Sequence, residues 1–200
     1  MQARTFTETS RRTQIVAAAI ETIAREGYPR ASFARIARQA GLSSTGLISY
    51  HFASKRELVE QVVGTVYAEL GTFMAEQMEG QPTAAAALRT YISANVRFAA
   101  THHTQMQALM NIFVSGDLDY DAASDGRATA PVEQLLHWGQ RTGEFRDFDV
   151  PVMATSLQRS VEGPSFLLAR EQEGGSLDLD HYVDELVTLF DLATRRQAPS

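Results

Sequence analysis

The chain has 200 residues, 44% of them hydrophobic, and no cysteine, so it can bury one or two cores but has no disulfide, thiolate metal site or thiol nucleophile. No run of about 18 apolar residues offers a membrane span, and the start, Met1-Gln2-Ala3-Arg4-Thr5-Phe6, lacks the apolar stretch of a secretory signal, which makes a cytoplasmic protein the expectation. The net charge of −6 is unevenly held: residues 1–60 carry nine Lys/Arg against five Glu, a balance of +4, which leaves −10 for the other 140 residues. A basic segment on an acidic body suggests a nucleic-acid module.

Residues 1–9 are polar and read as a disordered tail, with Arg4 solvated and Arg11 and Arg12 near the start of the first helix, where they could brush phosphate. Ile15, Val16, Ala19, Ile20 and Ile23 recur at helical spacing and predict a helix over 10–26, stopped by Gly27 with Pro29 beyond. Tyr28 reads as packing at this turn.

Ser32 is placed to cap a second helix, in which Ile36, Ala37 and Ala40 share a face, and Gly41 ends it. Ser43 reads as the next cap, with Leu47 and Ile48 of the third helix pointing back at the second. Two short helices around a glycine turn form a helix-turn-helix, whose second helix fits the DNA major groove. Its outward side would show Ser44, Thr45, Ser49, Tyr50 and His51, hydrogen-bonding side chains suited to base edges and phosphates. Gly46 lets a DNA backbone come close. Ser54-Lys55-Arg56-Glu57 is a capping box opening a fourth helix, and Lys55 lies in its first turn, where free amides favour a phosphate.

Ala40-Gly41-Leu42-Ser43, then Gly46-Leu47-Ile48-Ser49-Tyr50-His51-Phe52, then Ser54-Lys55-Arg56-Glu57-Leu58 resembles the DNA-binding signature of TetR-type transcriptional repressors over residues 10–64. Ser49 departs from it, standing where many members carry an aromatic. The resemblance implies base contacts from Ser44, Thr45 and Gly46 and phosphate contacts from Tyr50, His51 and Lys55. Ser32 and Ser43 would cap helices and could touch the DNA backbone.

The rest of the chain keeps a helical period. Helix four, Lys55 to about Gly80, carries an apolar stripe from Val59 to Met74 and reads as a lever from DNA to the acidic body, with Gly64 and Gly71 allowing bending or close packing. Helices follow over 84–101 and 104–115, then an acidic, turn-rich loop over 116–126 that lacks the terminal glutamate of a calcium loop. A helix over 128–142 leads to the Gly143–Asp149 turn, where Asp149 caps helix eight (150–172), kinked at Gly163-Pro164; helix nine spans 180–195. The expected fold is all-α: a three-helix DNA-binding domain (1–54), a connecting helix (55–80) and a C-terminal helical bundle for ligand binding and dimerisation (81–200).

From the resemblance, the last two helices would pair with a second copy, and a palindromic double-stranded operator would suit the resulting homodimer. The resemblance also implies a cavity for a small apolar or aromatic ligand among Asn95, Phe98, His102, Met106, Met110, Phe113, Trp138, Met153 and Phe166, each of which could equally be core. No cofactor is expected. Nucleophile-elbow, P-loop, dinucleotide and zinc-protease motifs are absent, and neither Glu133–His137 nor Asp178–His181 completes a di-iron pair, so catalysis is excluded. The competing reading is a DNA-bound regulator without a pocket that works through a protein partner.

Overall fold

The computed structural model describes residues 2–116, 122–168 and 178–196, with side chains for all of these but 2–7, 122–127 and 165–168. Nine α-helices lie among the described residues: α1 Gln2–Glu26, α2 Phe33–Gln39, α3 Gly46–His51, α4 Lys55–Met78, α5 Ala84–Thr101, α6 His103–Ser115, α7 Ala122–Thr142, α8 Val150–Leu168 and α9 Leu179–Thr194. The chain divides into two units, Met1–Glu69 with His102–Asp119, and Leu70–Thr101 with Tyr120–Ser200.

The first unit is built on α1. Its Ile15, Ala19 and Ile23 are fully buried with Ile36 of α2, Ile48 of α3 and Leu58 of α4. Helix α6 joins the same core through Ala108, Leu109 and Ile112. The Asn111 amide donates to the carbonyls of Ile23 (2.8 Å) and Ala24 (3.2 Å) at the end of α1, where Ile23 O also accepts the Gly27 amide (2.9 Å). The predicted tail is instead helical, because α1 begins at Gln2. Residues 2–26 contain no Gly or Pro, so the helix nucleated by the buried Ile15–Ile23 stretch propagates backwards without a breaker.

The second unit packs α5, α7, α8 and α9 around Leu88, Ile92, Leu136, Ala154, Leu157 and Phe190. Thr83 caps α5 through the Ala86 amide (3.1 Å), and Glu144 adds both carboxylate oxygens to the Ala84 and Ala85 amides (3.1 and 3.0 Å). Partial burial pulls the Glu144 carboxyl upward, but those amides and the Thr142 hydroxyl outweigh it and hold the group below its ordinary range. The Gly143–Asp149 turn seats buried Phe145 over Gly139 and ties Arg146 to α9, its amide on Thr194 O (2.9 Å) and its Nε on Ala193 O (2.7 Å).

One expectation changes here, and one open alternative closes. Helix α7 starts at Ala122, so 122–126 is helix rather than loop, while 117–121 lie outside the described residues. Ala122 and Ala123 favour helix. Open space surrounds a Cβ at Gly64 and at Gly71, so neither glycine serves close packing. Helix α8, capped by Asp149 through the Val152 amide (2.9 Å), stays helical through Gly163-Pro164 to Leu168, beyond which the expected end at 172 lies outside the described residues. Pro164 has no N–H to offer Ser160 O four residues back, and the Tyr182 hydroxyl of α9 donates to that carbonyl instead at 2.9 Å. Gly163 supplies the clearance, since a Cβ there would sit 2.6 Å from the Tyr182 oxygen.

Candidate nucleic-acid interface

Helix α2 is bounded as its sequence dictates. Ser32, extended at φ −83° and ψ 159°, accepts the Arg35 amide on its hydroxyl, and the chain leaves the helix through Gly41 at φ 64°. Leu42 N donates to Ala37 O (2.8 Å) and Gly41 N to Arg38 O (3.2 Å), the paired closure of a glycine-terminated helix.

Helix α3 starts at Gly46, later than expected, and Ser43 does not cap it. Thr45 stands before its first residue in helical geometry (φ −67°, ψ −20°) and makes no side-chain cap. The expectation for Leu47 also fails: it is exposed, and Ile48 alone of the α3 side chains is buried, at 0% exposure. With one turn and a half, α3 has room for a single inward position, and Ile48 fills it. Ser43, Ser44, Thr45, Gly46 and Ser49 are exposed, and Tyr50 reaches 75%. The half-buried His51 ring meets Tyr50 edge-on at 5.1 Å. A Cβ at Gly46 would meet nothing nearer than Ser44 Oγ at 3.5 Å, so packing within the chain does not demand glycine there.

Ser54 caps α4 by accepting the Glu57 amide (3.1 Å), while Glu57 returns a carboxylate oxygen to the Ala53 amide (2.7 Å), one residue before the expected partner. Lys55 lies over the Tyr28 ring at 3.9 Å and donates to Tyr28 O at 2.8 Å, so a phosphate there would have to share its ammonium. Arg12 turns inward as well. It donates to His51 O (2.7 Å) and Gln61 Oε1 (3.2 Å), approaches Glu57 (3.5 Å) and covers the Phe52 ring at 4.2 Å. Nothing in the sequence pattern marks this role, because Arg12 is separated from its partners by 39 to 49 positions. On the α1–α2 surface Glu26 pairs with Arg35 and Arg25 and Glu21 with Gln39; the Arg35 hydrogen bond above all holds the Glu26 carboxyl below its ordinary value.

The expected ligand-pocket residues fall in both units. Met106 and Phe113 pack on the first unit's core, His102 precedes α6 without a side-chain cap, and Met110 is half-buried. In the second unit Phe98 is buried with its ring 5.5 Å from that of Phe73, Trp138 and Met153 pack on the core, and Asn95 gives its amide to Tyr91 O of its own helix (2.8 Å). The Phe166 side chain lies outside the described residues. Tyr91, buried and donating to Gln158 Oε1 at 2.7 Å, has its phenol pushed well up by burial and then by the Glu162 charge. Among the described residues no three His, Asp or Glu gather as a metal site, and no helix is long and apolar enough to cross a membrane.

Comparison with known proteins meets this geometry at α1–α4. The family model described as "Bacterial regulatory proteins, tetR family" matches residues 15–62. The HTH-type transcriptional regulator BetI of Escherichia coli O45:K1 is 35% identical over 79 residues, 40% of each chain. The chain spans between 40% and 54% of the length of the curated relatives it matches. Among solved structures, a TetR family transcription regulator from Marinobacter aquaeolei VT8 superposes with TM-score 0.76 at 17% identity, covering 98% of this chain and all of that one. A chain described under the molecular basis for control of antibiotic production by bacterial hormones gives TM-score 0.75 at 26% identity, covering 92% of this chain and 97% of that one.

Proposed function

Starting from a chain that is a TetR-type helix-turn-helix protein, we propose that it is a homodimeric, sequence-specific DNA-binding transcriptional repressor, released from a palindromic operator by a small molecule. The observation that carries this reading is the polar exposed set of Ser44 and Thr45 just before α3 and Ser49 and Tyr50 on it, with the helix held from beneath by Ile48. Thr45 and Ser44 would address base edges, with Gly46 admitting the DNA backbone. Tyr50, His51 and the first amides of α4 beside Lys55 would address phosphates, and Ser32 and Ser43 could touch the DNA backbone.

Dimerisation would use the outer sides of α8 and α9. Leu189 and Leu192 of α9 and Val152 of α8 are more than half exposed, and exposed Glu185 and Thr188 share their side of α9, opposite buried Leu186 and Phe190. A twofold dimer would set two recognition helices about 34–36 Å apart, one turn of DNA. The ligand would be small and apolar or aromatic, held in the second unit near Phe98, Trp138 and Met153, and would act on DNA affinity through α4, which runs from one unit into the other. The likeness to a chain described under control by bacterial hormones supports a diffusible signal.

The test is selection of bound duplexes from a random pool with purified protein at moderate salt. A palindrome with half-sites about one helical turn apart is the expected result, and ligands are then sought by release of that DNA. Recovery of no motif would reject the reading.

A further inference from the structure

We infer that Arg12 is the positioning residue that sets recognition helix α3 against α4, and that it is not a phosphate ligand. This rests on the reading of α3 as the DNA-contacting helix.

Helix α3 has six residues, far short of the length at which a helix holds itself in water. Its orientation must therefore come from tertiary contacts, and its own side chains supply one buried anchor, Ile48. Phe52, 1% exposed, closes the helix at its end. Arg12, projecting from α1, holds three features of this corner at once. Nη1 donates to His51 O at 2.7 Å, a carbonyl of the last turn that lacks a helical partner. The guanidinium lies over the Phe52 ring at 4.2 Å, and Nη2 reaches Gln61 Oε1 at 3.2 Å and Glu57 Oε1 at 3.5 Å, both on α4. The Glu57 ion pair is long and its side chains are about 40% exposed, so it contributes little by itself. What matters is the planar fork, which binds a backbone carbonyl on α3 and an amide on α4 while stacked on the residue between them. A lysine ammonium has the charge without that geometry.

The test compares the full chain with Arg12→Lys and Arg12→Gln at a temperature where circular dichroism shows each fully folded. The first readout needs no DNA. Amide hydrogen exchange over residues 48–52 is expected to quicken about tenfold in both variants, while α5 and α9 keep their wild-type protection. Unchanged exchange in α3 overturns the inference, whether or not the chain binds DNA.

The second readout is affinity for the selected duplex and for an unrelated duplex across a salt series. Both variants are expected to lose about tenfold on the selected duplex, the scale of one charge-assisted hydrogen bond, with the unrelated duplex and the salt slope unchanged. A phosphate ligand would instead leave Arg12→Lys near wild type and flatten the slope of Arg12→Gln by about 0.9 on both duplexes, which overturns the inference. Gln61→Met removes one acceptor of Arg12 and leaves every charge in place; it is expected to give the same pattern on a smaller scale, and a wild-type result counts against the strut. A wild-type chain that binds neither duplex refutes DNA binding itself, and the exchange measurement still decides the role of Arg12.

Discussion

Replacing Tyr182 by Phe removes one oxygen, and the structure fixes what that oxygen does. Ser160 O would ordinarily accept from the amide four residues on, but that residue is Pro164, and the Tyr182 hydroxyl stands in at 2.9 Å. Burial raises the phenol above its ordinary pKa, so the hydroxyl is a neutral donor throughout the neutral range. A typical hydrogen bond contributes about 0.5–1.5 kcal/mol net, and a stranded acceptor in a protected site adds to the loss, so Tyr182→Phe should cost about 1–2 kcal/mol. The deciding comparison is the same change in a Pro164→Ala background. Alanine returns an N–H to Ser160 O, the hydroxyl becomes surplus, and the cost of Tyr182→Phe should drop below about 0.5 kcal/mol. The coupling between the two sites is thus about 1 kcal/mol, well outside the few tenths expected of independent positions. Urea unfolding of all four proteins at one fixed protomer concentration measures the cycle, since any dimer makes stability depend on concentration. Equal costs in both backgrounds would refute the argument that the hydroxyl replaces the missing amide.

Four further outcomes follow from the same contacts. Thr45→Val should leave stability within about 0.5 kcal/mol, because Thr45 is exposed and caps nothing, yet change the selected DNA motif; an unaltered motif would remove Thr45 from base reading. Leu189→Asp combined with Leu192→Asp should give a folded monomer by light scattering, and a persistent dimer would place the interface elsewhere. Glu144 has a lowered carboxyl pKa in the folded chain, so its stabilisation is present above the ordinary carboxylate range and fades as pH falls through the lowered value; Glu144→Gln should weaken the chain at neutral pH and flatten its acid limb in urea midpoints against pH. Gly139→Ala would ordinarily strengthen a helix by about 1 kcal/mol, but its Cβ would come within 2.6 Å of Phe145 Cγ and nearer to two other ring carbons, so a net loss of about 1–3 kcal/mol is expected, reversed in a Phe145→Ala background.

Much of the local architecture is legible in the sequence because local rules govern it. Ser32, Ser54 and Asp149 each cap the helix that follows, and Gly41 takes the positive φ its place demands. The same rules misplace Ser43, since three hydroxyl residues in a row offer three possible caps and α3 uses none of them. They also misread residues 2–9, where polar composition resembles a loop but no breaker interrupts the adjoining helix, and 122–126, where the helix runs on through Gly126. The outward face of α3 could be read at the level of residue types. What fixes that face in space could not, because Arg12 and Lys55 find carbonyls 39 and 27 positions away, and a cation in a DNA-binding segment reads first as a phosphate contact. The expected ligand residues are the least legible, as methionines and aromatics look alike whether they fill a core or line a cavity.

Helix α6 begins about fifty residues after α3 ends, yet its Ala108, Leu109 and Ile112 are buried in the core of the N-terminal helices and its Asn111 closes the carbonyl end of α1. Anyone wishing to join these N-terminal helices to a different body by splicing sequences would cut after residue 80, where the glycine-proline break invites it. That cut leaves Ile23 and its neighbours facing water on the side α6 had covered. A workable hybrid has to carry 103–115 along with the first eighty residues, or rebuild that apolar strip on whatever helix replaces it. The portable part of this protein is discontinuous in sequence.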